Sequence, residues 1–248
     1  MIEIRNITKS FEDKIVIEGI DGVFEPGEPN LIIGASGTGK TVLLKCIVGL
    51  MDPDFGEAFF DGRDFLKANR HVKREIRREI GMLFQGGALF DSKTVEENVK
   101  FPLDMLTDMT KEDKLDRVNF VLKRVGLENI NHLMPSEISG GMKKRVGIAR
   151  ALVNQSKYLF CDEPNSGLDP QTAILIDHLI EEITEEYKIT TIVVTHDMNS
   201  VMQIGEHVIF IYKGRKLWEG SNRDILNMEV KELQDFIYAN SLVAALRK

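Results

Sequence analysis

The stretch GASGTGKT, residues 34–41, constrains the fold of this chain more than any other feature. It follows NLII, a continuous apolar run expected of a strand buried on both faces. It opens TVLLKCIVGLM, residues 41–51, which reads as a helix. A strand, a glycine-rich turn and a helix in that order form a P-loop. The glycines let backbone N–H groups curl around phosphate oxygens, and the helix N-terminus adds partial positive charge. Gly34, Ala35, Ser36, Gly37, Thr38 and Gly39 would line this cradle. Lys40 would bridge the β- and γ-phosphates, and the Thr41 hydroxyl would ligate Mg²⁺.

A companion lies at residues 158–164, YLFCDEP. Four apolar residues make a strand that delivers Asp162 and Glu163 to its carboxyl end, where ligands bind in open parallel sheets. Asp162 would hold Mg²⁺ through water, and Glu163 would orient and polarise the attacking water as general base. Two single residues share this placement. Gln85 follows the apolar run IGMLF, where its amide either reaches the metal and the water or caps the strand. His196 ends TTIVVT at the same expected sheet edge, as a γ-phosphate contact or a structural histidine. His71, His132, His178 and His207 have no such placement.

The remaining sequence bounds the class. With 43% apolar and 29% charged residues over 248 positions, the chain can bury a substantial core. A net charge of −7 argues against a dedicated nucleic-acid binder, so no nucleic-acid partner is expected. The densest basic run, KREIRREI at 73–80, is interrupted by Glu75 and Glu79 and reads as a solvated face or a local anion contact. Cys46 and Cys161 lie in apolar runs without metal-type spacing, as buried reduced thiols do. Charges from Glu3 onward and the lack of an apolar h-region argue against a signal peptide. No stretch approaches the roughly 20 apolar residues that span a bilayer.

The first thirty residues alternate apolar and polar, as antiparallel strands with one wet face do. A buried run around IGMLFQ falls between residues 75 and 90. Between 91 and 157 the pattern turns helical, at TVEENVKFPL, KEDKLDRVNFVLKRVGL and MKKRVGIARALVN. Strand runs return at YLFCDEP and TTIVVTHD around the helix QTAILIDHLIEEITEEY. HVIFIYKGRKLWEGS reads as a hairpin turning at Lys213 and Gly214, with Trp218 packing. The fold class expected is α/β, a P-loop NTPase with a parallel-sheet core, an N-terminal antiparallel β-subdomain and an inserted helical subdomain. Residues of about 1–90 and 158–225 would make the catalytic core and β-subdomain, about 91–157 the helical subdomain, and about 226–248 a helical tail, all within one domain.

A second glycine-rich helix start, SEISGGMKKRVGIAR at 136–150, completes a recognisable order. P-loop, Gln85, ISGGM, YLFCDE, SGLD at 166–169 and then His196 together resemble the ATP-binding subunit of an ABC transporter, over nearly the whole chain. ISGGM is similar to that family's signature, usually L-S-G-G-Q. The resemblance implies a RecA-like core and a head-to-tail homodimer with two ATP molecules and Mg²⁺ at its interface. Ser139, Gly140 and Gly141 of one copy would face the nucleotide on the other copy's P-loop. It further implies that Phe11 stacks on adenine, that Gln85 belongs to the Q-loop and Asp169 to the D-loop, and that His196 is the switch histidine.

A finer resemblance rests on MLFQGGALFDSKTVEENVKFPL and LMPSEISGGM, with Met142 in place of the usual glutamine. Both are similar to the Mla-type (MlaF-like) ATPases that energise MCE lipid transporters. This implies phospholipid movement between inner and outer membranes, with the chain held at the cytoplasmic face of the bacterial inner membrane by an MlaE-like permease. An MCE-domain protein would join through that permease, and in some members a small regulatory subunit as well. Leu89 and Phe90 suit either a socket for a permease helix or packing against the helical subdomain. PNSGLD and the C-terminal tail depart from the lipid-transport pattern. The alternatives are an ABC importer for amino acids or peptides and a soluble non-transport ABC ATPase. A P-loop kinase would leave ISGGM without a purpose.

Overall fold

The computed structural model describes residues 1–12 and 14–238. Two strands open the chain, β1 (Ile2–Phe11) and β2 (Lys14–Phe24), paired antiparallel. Then come β3 (Pro29–Ile33), α1 (Lys40–Ile47), β4 (Phe55–Phe60) and β5 (Arg63–Asp64). Next are α2 (Arg70–Arg78), β6 (Ile80–Leu83), α3 (Val95–Leu106), α4 (Lys111–Arg124) and a 3-10 turn at Pro135–Glu137. The second half runs α5 (Gly140–Leu152), β7 (Tyr158–Asp162), α6 (Pro170–Tyr187), β8 (Thr190–Thr195) and α7 (Met198–Ile204). The hairpin β9 (His207–Tyr212) and β10 (Arg215–Gly220) and the helix α8 (Lys231–Tyr238) close the described chain.

These strands form two sheets. The first is antiparallel in the order β2-β1-β4-β5, and the second has the order β10-β9-β3-β8-β7-β6. In the second, β9, β3, β8, β7 and β6 are parallel, and β10 returns antiparallel along the edge. β3, β7 and β8 are buried at every residue, which is why their sequences are continuous apolar runs rather than alternating ones. Their side chains still alternate between faces. Leu31, Ile33, Leu159, Cys161 and Val193 pack with α3 to α7. Ile32, Phe160, Ile192 and Val194 face α1 and the antiparallel sheet, meeting Ile2, Ile4 and Phe60. The central sheet is therefore the floor of two hydrophobic layers.

Helix starts follow local chemistry. Thr94 caps α3 in a full capping box with Glu97, Thr110 caps α4, and Ser139 caps α5. The basic run at 73–80 contributes most of α2, capped by Asn69, with Ile76 as its buried anchor. The buried run expected across residues 75–90 shrinks accordingly to the four residues of β6, because the helix occupies residues 75–78 and an exposed turn follows Leu83. Cys46 and Cys161 are free and buried, one in each layer, and burial pushes their thiols up to about 11 and about 12. Trp218 packs against the core, and the β9–β10 turn falls at Lys213 and Gly214. Of the tail, Lys231–Tyr238 is helical and buries Leu233 and Ile237; residues 239–248 lie outside the described part.

One buried carboxyl ties three segments together. Asp177 of α6 accepts a 2.8 Å hydrogen bond from Asn165, which also donates to Ser200 of α7. Burial pushes Asp177 up to about 6, against its hydrogen bonds with Ser200 and Asn165. An unfolded aspartate titrates near pH 4, so between about pH 4 and 6 the folded chain holds the extra proton. This group's contribution to stability is therefore greatest at the acid end and is lost as pH rises through about 6. Asp177→Asn keeps an acceptor for Asn165 but cannot titrate. Its stability relative to wild type should improve by roughly 1 kcal/mol between pH 5 and 7.5, read by denaturant unfolding. Parallel stability curves for the two proteins would contradict the account of Asp177.

Candidate functional site

Register aligns the site. Ile33 of β3 pairs with Thr195 of β8, and Asp162 of β7 pairs with Val194 of β8. Gly34, Glu163 and His196 are the residues that leave these three neighbouring strands, so all emerge at one sheet edge. This is the carboxyl edge, the side on which open parallel sheets hold their ligands.

The turn at residues 34–39 is pressed against its neighbours. At Gly34 a Cβ would sit 2.3 Å from the Ile211 carbonyl oxygen, and at Gly39 it would sit 2.5 Å from Ile17 Cγ2. Gly39 also has a φ of +99°, so space and backbone conformation both demand glycine there. Gly39 caps α1 with no side-chain acceptor, which leaves the first-turn N–H groups available to an anion. Lys40 Nζ folds over the turn, donating to the carbonyls of Gly34 at 2.8 Å and Ala35 at 3.1 Å. Burial lowers its pKa, opposed by the nearby charges of Glu163 and Asp162. Ala35, Ser36 and Gly37 are exposed at the rim, and Thr38 bonds back to Ala35.

Opposite the lysine, Thr41 Oγ1 donates to Asp162 Oδ1 at 3.0 Å. Asp162 is pushed above the usual carboxylate range by burial and further by Glu163, with the Thr41 hydrogen bond opposing. Among the described residues no three His, Cys, Asp or Glu side chains converge as a metal cage. One hydroxyl and one carboxylate suit Mg²⁺, which keeps waters and takes phosphate oxygens for the rest of its shell. The residues present therefore fit a magnesium nucleotide.

Glu163 has a φ of +49°, the left-handed region that non-glycine residues seldom enter, and its N–H donates to the Val194 carbonyl at 2.9 Å. That turn brings its carboxylate within 2.8 Å of His196 Nδ1. The Glu163 side chain is 12% exposed and that of His196 52%, a carboxylate sheltered behind an accessible ring. Gln85 is exposed in the turn after β6 and makes no hydrogen bond among the described residues, so its amide is not held against Thr41 or Asp162. Phe11 is exposed at the end of β1, and its hairpin partner β2 supplies the Val16 and Ile17 atoms that abut Gly39.

Ser139 and Gly140 are exposed, and Ser139 accepts a hydrogen bond from Met142 N–H at 3.2 Å. The nearest non-local side chains to Gly140 and Gly141 are Leu168 and Thr172, not the P-loop. Asp169 caps α6 by accepting from the N–H and hydroxyl of Thr172, which hold its carboxyl below the usual range. The second glycine-rich helix start thus opens outward, away from this chain's own phosphate cradle. The structure also adds a residue that motif reading passed over. Lys144 on α5 is 3% exposed and donates to the Glu163 carbonyl oxygen at 3.2 Å. Its one sequence signal is phase, since it lies on the helix face carrying Ile148 and Ala151, where apolar residues belong.

The parallel sheet, the phosphate turn and the paired acids define a P-loop nucleotide hydrolase. A family model described as ABC transporter matches residues 17–166. The methionine import ATP-binding protein MetN 1 of Oceanobacillus iheyensis is 40% identical over 243 residues, covering 96% of this chain and 72% of that protein. A protein of Mycobacterium leprae named as a probable ribonucleotide transport ATP-binding protein, mkl, is 35% identical over 236 residues, covering 95% of this chain and 68% of its own length. Two dimeric structures of the bacterial ABC transporter cassette MJ0796 superpose with a TM-score of 0.81 each, at 33% and 32% identity. Each covers 90% of this chain and 99% of the cassette, and the second is a post-hydrolysis state bound to ADP and Pi. The chain belongs to the ABC transporter family, as an ATP-binding subunit that hydrolyses ATP with Mg²⁺.

Proposed function

We propose that this chain powers a membrane transporter as a head-to-tail dimer seated under a permease, each copy supplying half of each ATP site. One observation carries this reading: the Ser139 helix start is exposed and built like an anion-facing cap, yet it neighbours Leu168 and Thr172 rather than the P-loop of its own chain. A second copy, turned head to tail, would place it against a bound nucleotide. The dimeric cassettes this chain resembles support that assembly.

Within each site Gly34 to Gly39 would wrap the phosphates, and Phe11 would offer its exposed ring to the adenine. Lys40, released from the Gly34 and Ala35 carbonyls, would carry its charge to the β- and γ-phosphates. Magnesium, when bound through Thr41 and Asp162, supplies charge neutralisation on the phosphate oxygens, with Gln85 swinging in from its turn. Glu163 would take the proton of the attacking water while His196 fixes the carboxylate's direction. Ser139, Gly140 and Gly141 would contact the partner's γ-phosphate, and Asp169 would hold α6 beside that interface. Loss of that phosphate removes a contact made by both copies, so the dimer reopens.

A socket for the permease lies between the core and the helical segment, which we treat as a subdomain of about residues 91–157. Phe84, Phe90, Phe101, Pro102 and Leu106 line a cavity of about 270 Å³ there. Phe90 and Phe101 sit 4.9 Å apart at their ring centres. Leu89 turns inward and packs against the core, so of the two residues singled out by sequence only Phe90 faces this socket. Among the described residues no helix is long and apolar enough to cross a membrane. Attachment to the cytoplasmic face of the membrane would come through this socket.

For cargo, the relatives support an importer of small solutes, with methionine named for MetN, ahead of phospholipid transport. Lipid transport with an MlaE-like permease, an MCE-domain protein and a small regulatory subunit keeps the support of FQGGALF and PSEISGGM alone. Solubilising membranes in mild detergent and identifying what co-purifies with this chain separates the two. A permease with a solute-binding protein supports import, and a permease with an MCE-domain protein supports lipid transport. Recovery with no integral protein would contradict a transporter role. Glu163→Gln should keep ATP affinity while turnover falls by roughly 10²–10⁴-fold in a phosphate-release assay. Near-normal turnover in that variant would remove Glu163 from its role as base.

A further inference from the structure

Lys144 is a buried cation with no ion pair among the described residues. Its ammonium donates to the Glu163 carbonyl oxygen at 3.2 Å, and burial lowers its pKa against the pull of Cys161, Glu163 and Asp162. An unpaired buried ammonium is costly, and an apolar residue would suit its helix face better. The contact it makes is therefore informative. The same carbonyl also accepts from Ser166 N–H at 3.2 Å. Together these donors hold the left-handed turn at Glu163, φ +49°, that points its carboxylate at His196.

The other end of this contact is the helix that begins at Ser139. Lys144 lies a little over one turn into α5, on a rigid element whose start faces outward and whose far end donates from Arg150 to the carbonyls of Gly87 and Ala88 beside Gln85. In the head-to-tail dimer of the preceding section, on which this inference rests, that helix start touches one nucleotide while Glu163 serves the other. We propose that Lys144 is a positioning residue that couples the two ATP sites within one chain. Engagement of Ser139 with the partner's nucleotide shifts α5, and the Lys144 ammonium carries that shift to the backbone of Glu163. Hydrolysis at one site thereby depends on occupancy of the other.

Lys144→Met keeps the packed stem and removes the ammonium, and Lys144→Arg restores a donor. ATPase rates against ATP concentration are measured for full-length chains in complex with the permease that co-purifies, beside thermal unfolding of each variant. For Lys144→Met the expected result is an unchanged or raised Tm, half-saturation within about twofold of wild type and kcat lower by roughly 10- to 100-fold. Its Hill coefficient should drop to about 1 from a higher wild-type value. Lys144→Arg should recover part of both kcat and cooperativity. Wild-type cooperativity retained in Lys144→Met, a wild-type Hill coefficient of about 1, or a lowered Tm with unchanged kcat and cooperativity would each overturn the coupling role. Glu163→Gln in the same assay separates the failures: if it stays active, the assignment of Glu163 falls, and if it alone is inactive, only the role of Lys144 does.

Discussion

The structure depends on the register of three parallel strands. β3, β8 and β7 lie side by side, and pairing Ile33 with Thr195 and Asp162 with Val194 ends them at one level. A slip of one residue in any strand would turn its side chains to the opposite layer. Leu31 and Ile33 would leave the helical layer, and Asp162 would no longer meet Thr41 at 3.0 Å. Hydrophobic sorting between the two layers thus sets the polar geometry at the edge. No single hydrogen bond in the site has to impose that geometry, because strands buried at every residue already have.

Much of this was legible in the sequence because each device has a local cause. The phosphate turn needs glycine at 34 and 39 for space as well as conformation, and those glycines stand beside Lys40 and Thr41. Apolar runs before Gly34, Glu163 and His196 announce buried parallel strands, and 3.6-residue periodicity announces the helices that Thr94, Thr110 and Ser139 cap. Less legible was α2, where one buried residue, Ile76, anchors an otherwise charged face. Its apolar face consists of only Val72 and Ile76, too few to stand out in a charged run. Gln85 is placed by its position after β6, and in its turn it makes no hydrogen bond among the described residues.

Lys144 and Asp177 were illegible for a different reason. Both are charged residues at phases where a helix buries apolar ones, and their partners, the Glu163 carbonyl and Asn165, come from another element. Tertiary contact between a side chain and a backbone carbonyl leaves no spacing to read. The cargo is similarly absent from the fold: the site binds a nucleotide, while the socket lined by Phe84, Phe90 and Phe101 would meet whichever permease the chain serves.

The central claim is that each ATP site is shared between two copies. Its most direct measurement is nucleotide trapping by heterodimers of a Ser139→Ala chain and a Lys40→Ala chain, compared with each variant alone. In the mixed dimer one site loses both groups and the other keeps both. The account predicts that heterodimers trap one ATP per dimer, while either homodimer traps little. Trapping by the mixture no greater than the average of the two homodimers would contradict a site built from two chains.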